Sequence, residues 1–226
     1  MLSSSFDKGD LNRVTLEMPT QTKQFAQALQ HHAPDFGVEL SPGAIQKLTD
    51  FYALLLKWNP RLHLVSPCSP REFATRHVLE SLMLLKHLPP NARVADIGSG
   101  GGLPIVPCLL VRDDLHATLI ESSARKGVFL HEALRAATPP DRAQLNPARF
   151  EDIATPEADF VTCRALDRFS EVLPALIDWA PGNATLLFFA GESICHEVQT
   201  ILRSVTVERI PQSERRFLLV ARASGA

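Results

Sequence analysis

The chain has 226 residues, 45% hydrophobic and 21% charged, with 23 basic against 25 acidic side chains and a formal net charge of -2. These values fit one globular domain with a substantial core; no uncharged apolar run approaches the roughly 20 residues of a membrane-spanning helix, and the polar N-terminus lacks a secretory apolar core. Cys68, Cys108, Cys163 and Cys195 form no CxxC pair and the eight histidines show no ligand spacing, which argues against a disulfide scaffold and a metal site and for a reducing cytoplasm.

In chain order, residues 1–19 read as a polar, flexible leader, and a first helix is expected over Thr22 to His31. Ser41 and Pro42 can open a second, with Ile45, Leu48, Phe51, Tyr52, Leu55 and Trp58 at helical spacing and an end near Asn59-Pro60. After a loop over Arg61 to Pro67, Ser69-Pro70-Arg71-Glu72 supplies a capping box for a third helix that stops at Pro89-Pro90. Residues 20–90 thus form an N-terminal helical region. From 91 to 226 strands and helices alternate. Strands are expected at 93–98, 117–121, 143–146, 159–164, 184–189, 205–210 and 217–222, with helices between most of them. The alternation predicts an α/β, Rossmann-like, mostly parallel seven-stranded sheet, and the short turn between the last two strands predicts an antiparallel edge.

Four of the 11 glycines fall between Gly98 and Gly102, in Asp96-Ile97-Gly98-Ser99-Gly100-Gly101-Gly102-Leu103-Pro104, where a strand turns into a helix. Glycines there permit positive φ and close backbone approach to a ligand. A dinucleotide fingerprint needs a glycine where Leu103 stands, so NAD is the weaker reading. Glu121 ends the second strand, 23 residues after Gly98, where a carboxylate can accept from both hydroxyls of a ribose. A G-x-G-x-G loop followed by such an acid is the pattern of S-adenosylmethionine binding in Rossmann-like methyltransferases. Gly98 and Gly100 would admit the methionine moiety, Gly102 would complete the cofactor-binding loop, Leu103 would pack beside the methionine and Glu121 would hold the ribose. Phe150 and Glu151, after the third strand, suit adenine, with an ordinary acidic loop as the alternative. Arg164 leaves the fourth strand at its C-terminal end and is expected to face the ligand crevice. Cys163 before it reads as a buried strand cysteine rather than a nucleophile.

Charge is unevenly placed. Residues 57–86 carry five cations against Glu72 and Glu80, and the tail from Thr200 carries five arginines against Glu208 and Glu214, each a local +3. Arg125-Lys126 adds a pair. Gathered above the glycine loop, these groups would track phosphates; a solvated, salt-bridged surface is the alternative.

Taken together, Leu56-Lys57-Trp58-Asn59, Arg76-His77-Val78-Leu79-Glu80-Ser81, the glycine block 96–104, Glu121-Ser122 with Arg125-Lys126 and Phe129-Leu130, Arg164-Ala165 and Glu214-Arg215 resemble the RsmG-type, or glucose-inhibited division protein B, family of 16S ribosomal RNA guanine-N7 methyltransferases. The resemblance implies a helical region packed on a methyltransferase domain, S-adenosylmethionine as cofactor without a metal, and 16S ribosomal RNA or the small ribosomal subunit as partner of a monomeric enzyme. It assigns the cofactor to Gly98, Leu103, Glu121, Ser122, Ser123, Phe150, Glu151 and Arg164. Arg164 is the expected catalytic positioning group, and Arg76, His77, Arg125, Lys126 and Arg215 are expected on RNA phosphates. The chain departs from the family pattern at His63-Leu64-Val65-Ser66, at Glu80 and at Ala190-Gly191. The other readings are a methyltransferase for a small molecule or protein, and a binding homologue with reduced catalysis.

Overall fold

The protein is described by a computed structural model covering residues 8–164 and 169–223. Residues 1–7 of the expected leader, and Ala165, lie outside the described residues. Helix α1 (Lys8–His32) begins well before Thr22 and includes Pro19. From Asp10 to His32 there is no glycine and Pro19 is the single proline, so ordinary helix formers outweigh the polarity that suggested a leader. The ring of Phe25 stacks on Tyr52 at 4.4 Å and lies 5.8 Å from Phe73.

Helix α2 (Pro42–Leu62) is capped by Ser41, whose Oγ accepts from Ala44 N–H at 3.1 Å. It runs past Pro60, which removes only one N–H from the last turn, and closes when left-handed His63 returns its N–H to Asn59 O. The expected capping box at Ser69 and Glu72 is formed. The helix it opens, α3 (residues 70–86), is not uniform. One α-helical turn (Pro70–Glu72) widens into a π-helical stretch (Phe73–Leu79), returns to α over Glu80–Leu82 and tightens to a 3-10 turn at Met83–Lys86.

Beyond it come β1 (Arg93–Ile97), α4 (Ile105–Val111), β2 (His116–Ile120), α5 (Ala124–Ala137), β3 (Ala143–Asn146), β4 (Phe160–Arg164), α6 (Phe169–Trp179), β5 (Thr185–Gly191), α7 (Glu192–Ile201), β6 (Val205–Arg209) and β7 (Arg216–Arg222). The seven strands order as β3-β2-β1-β4-β5-β7-β6, parallel except for β7. The Rossmann-like sheet with its antiparallel edge is therefore as expected. One face packs on α6 and α7 through Ile97, Val161, Leu173, Leu186 and Val198. The other is continuous with the N-terminal helices: Phe25, Leu48, Phe73, Val94, Leu109, Phe129 and Leu187 belong to a single core. The two regions of the sequence thus share their interior.

Candidate active site

Strand order reverses between β1 and β4, which leaves a crevice at their C-terminal ends, the place where open α/β sheets hold ligands. The glycine loop emerges there. Gly98, Gly100 and Gly102 all adopt positive φ (66°, 51° and 76°), the left-handed region that disfavours a side chain. Gly98 and Ser99 both donate to Ile120 O, at 2.9 and 3.2 Å, which pins the loop to the end of β2. At Gly102 a Cβ would sit 2.8 Å from Val106 Cγ2; at Gly101 it would touch Leu64 at 3.4 Å. Leu64 is fixed in turn, because the Asn59 amide pairs with both backbone groups of Val65 at 3.0 Å. The glycine loop therefore rests on the segment that follows α2.

A cleft of about 590 Å³ opens beside the loop, lined by Gly98, Glu121, Ser122, Ser123, Phe150 and Glu151 among others. Six of the expected cofactor residues meet there. Glu121 is buried, and its carboxylate accepts from Gly100 N–H at 2.9 Å and Ser123 N–H at 2.7 Å. Each oxygen keeps a second lone pair for a ligand hydroxyl. Phe150, in a 3-10 turn (Phe150–Asp152), is buried and packs edge-on against Trp179 at 5.7 Å. Lys126 and Arg149 also line the cleft. Gly100, Gly102, Leu103 and Arg164 do not. Gly100 acts through its N–H on Glu121, Gly102 packs on Val106, and Leu103 is part of the core shared with the N-terminal helices.

Asp96 was not among the expected site residues. It is fully buried at the end of β1, and neither carboxylate oxygen has a hydrogen-bond partner. Ser99 Oγ donates instead to its main-chain carbonyl, at 3.0 Å. Burial pushes its carboxyl up to about 7; the nearby Ser99 hydroxyl counters part of this, and the charge of Glu121 adds a smaller upward push. A lone acid within the apolar Val94-Ala95-Asp96-Ile97 strand was the signal in the sequence. Its uncompensated charge beneath the loop favours a cation above it.

The Arg164 guanidinium does not line the cleft and bonds to α3 instead. It donates through Nη2 to Glu80 Oε2 (3.0 Å) and to Arg76 O, and through Nη1 to His77 O (3.5 Å). The expectation that this side chain faces the crevice is corrected: the buried Glu80 carboxylate on α3 draws it there. Glu80 also pairs with Arg216 through Oε1. Among the phosphate candidates, Arg76 is exposed and bridges Glu72 at 3.7 Å, Arg125 donates to Arg61 O at 3.0 Å, and Arg215 is exposed. His77 is different. Burial, with Arg164, Arg76 and Arg216 nearby, pushes it down to about 3, so it is neutral at physiological pH and offers a phosphate no charge. Part of the local positive charge is consumed internally, through Lys57–Glu132, Lys86–Glu208 and Arg216–Glu80. Cys163 is buried, and burial holds its thiol well above the ordinary range, as a structural strand cysteine requires. Among the described residues no cluster of three or more His, Cys, Asp or Glu is arranged to hold a metal, and no helix is long and apolar enough to cross a membrane.

The family model for rRNA small subunit methyltransferase G matches residues 44–222. The ribosomal RNA small subunit methyltransferase G of Sorangium cellulosum is 36% identical over 163 residues, spanning 69% of this chain and 68% of that protein. Its namesake in Acidiphilium cryptum is 37% identical over 174 residues, with 73% and 77% covered. Among solved structures, P. horikoshii TYW2 in complex with MeSAdo superposes with a TM-score of 0.50 at 19% identity, over 65% of this chain and 62% of that one, a likeness of fold.

Proposed function

The chain belongs to the rRNA small subunit methyltransferase G family, and from that premise we propose that it transfers a methyl group from S-adenosylmethionine to N7 of a guanine in 16S ribosomal RNA. The observation that carries the reading is the cleft at the β1/β4 reversal, where a positive-φ glycine loop, the Glu121 carboxylate and the unpartnered Asp96 carboxylate converge. The residues present fit this cofactor. Its ammonium and sulfonium groups are cationic, as the field of Asp96 favours; its ribose hydroxyls suit the open lone pairs of Glu121; Phe150 offers an apolar wall for adenine.

When bound, S-adenosylmethionine supplies an electrophilic methyl group. Guanine N7 has a free lone pair and no proton to lose, so no residue is assigned as a general base. Catalysis falls to positioning, which is worth up to roughly 7–11 kcal/mol when reacting atoms are held in line. Gly98 lets the main chain close on the donor, while the N–H of Gly100 holds the Glu121 carboxylate that fixes its ribose. Arg76, Arg125, Lys126 and Arg215 hold RNA phosphates, a role that weakens as salt rises. The partner is free 16S RNA or the small subunit, and the enzyme acts as a cytoplasmic monomer. The test is transfer of tritiated methyl groups to undermodified small subunits and to naked 16S RNA, with N7-methylguanine mapped by borohydride and aniline cleavage. Label at another base position, or only on protein, refutes the reading.

A further inference from the structure

The widened turn of α3 has a hydrogen-bonding consequence that reaches the sheet. In an α-helix the Glu80 N–H would bond to Arg76 O, four residues back; here it is directed to Thr75 O and His77 O. The Glu80 N–H is thereby withdrawn from the Arg76 carbonyl, which accepts instead from Arg164, at the C-terminal end of β4. The same guanidinium reaches His77 O and Glu80 Oε2, while its Cζ lies 5.4 Å from the centre of the Phe189 ring on β5. One planar fork therefore reads two main-chain carbonyls and a carboxylate, a task for which a lysine ammonium has the wrong shape. Main-chain pairing sets Cys163 opposite Ile97, one residue before Gly98, so the anchor of this fork adjoins the glycine loop. π-Helical turns inside helices occur frequently at functional sites.

We propose that Arg164 is a positioning residue: it locks the π turn of α3 onto the rim of the crevice, so that the exposed Arg76 on that turn keeps a fixed offset from the cofactor cleft while the guanine is delivered. It does not touch the methyl donor. The inference rests on the methyl-transfer reading above for its role in catalysis, but the lock itself is independent of that reading.

The full chain is compared with Arg164→Ala, Arg164→Lys and Arg76→Ala in three measurements: S-adenosylmethionine affinity by calorimetry, kcat and KM for undermodified small subunits, and amide hydrogen exchange over residues 73–80. Both Arg164 variants should bind S-adenosylmethionine within about twofold of the parent yet lose about 100-fold in kcat, the scale of a 1 Å misplacement. Arg76→Ala, which removes the group that the lock positions, should likewise lower kcat for RNA while also raising its KM. Exchange over 73–80 should accelerate at least about tenfold in both Arg164 variants, and guanidinium ion should restore part of the activity of Arg164→Ala. Loss of S-adenosylmethionine affinity by more than about tenfold, unchanged kcat, or recovery in Arg164→Lys overturns the proposal. If the parent methylates no RNA, the functional reading fails, and exchange over 73–80 alone decides the lock: unchanged exchange overturns it.

Discussion

Replacing Asp96 by asparagine isolates a buried acid whose carboxylate has neither a hydrogen-bond partner nor an ion pair among the described residues. In the folded chain its carboxyl rises from an ordinary 3.8 to about 7. A raised acid pKa means that the native state holds the proton more tightly than the unfolded one. Stability is therefore undiminished below pH 3.8, falls as pH climbs from 3.8 to about 7, and levels off above, at a total cost of about 4 kcal/mol. Asparagine removes this titration and adds a buried amide whose unmet donors cost about 1–3 kcal/mol at every pH. Because the second quantity is constant, the advantage of Asp96→Asn over the parent should grow by about 3 kcal/mol between pH 5 and pH 8, or roughly 5–10 °C in Tm for a chain of this size. Thermal melts of both proteins at pH 5, 6, 7 and 8 without cofactor measure this directly, since the other titrating groups cancel in the difference. The variant should also bind S-adenosylmethionine more weakly at pH 8, so that the substitution strengthens the fold and weakens the site. Parallel melting curves across the pH range, or unchanged cofactor affinity, would refute the argument.

Three further outcomes are expected. Glu80→Gln leaves two guanidinium groups facing each other without a counter-charge and should cost about 3–5 kcal/mol in urea unfolding, whereas Arg216→Ala, which leaves the Glu80–Arg164 pair intact, should cost less. Gly102→Ala combines a left-handed backbone with a Cβ 2.8 Å from Val106 and should cost about 2–4 kcal/mol; Gly37→Ala, left-handed but with nothing within 4 Å, should cost about 1–2 kcal/mol in the same assay. Glu121→Gln keeps one acceptor oxygen for two loop N–H groups and should weaken S-adenosylmethionine binding by about 10–100-fold, at about 1–3 kcal/mol for the unmet N–H, as read by calorimetry.

Much of the architecture was legible because it rests on pattern. Alternating strands and helices gave the parallel sheet and its antiparallel edge, and the glycine spacing with Glu121 located the cleft. What escaped depends on direction and burial. The strand-end rule expects Arg164 to face the crevice, but its side chain follows Glu80, whose burial no local pattern announces. The π turn has no composition signature, so Phe73 to Leu79 read as ordinary helix. Leu103, although next to the loop, was claimed by the core. Asp96 was visible as a lone acid in an apolar strand, yet its importance comes from the absence of any partner, which only three dimensions reveal.

Leu55 and Leu64 lie directly beneath Gly101, and the Asn59–Val65 clasp holds that support in place. This gives the chain an order of assembly. During synthesis the helices leave the ribosome first, so the surface on which the glycine loop must settle is available before the loop is made. A chain beginning at residue 91 would have to fold its glycine loop with that support missing and a face of apolar side chains open to water. Insertions and fusions ahead of α1 should be tolerated, whereas a cut between α2 and β1 should abolish cofactor binding even when the sheet survives.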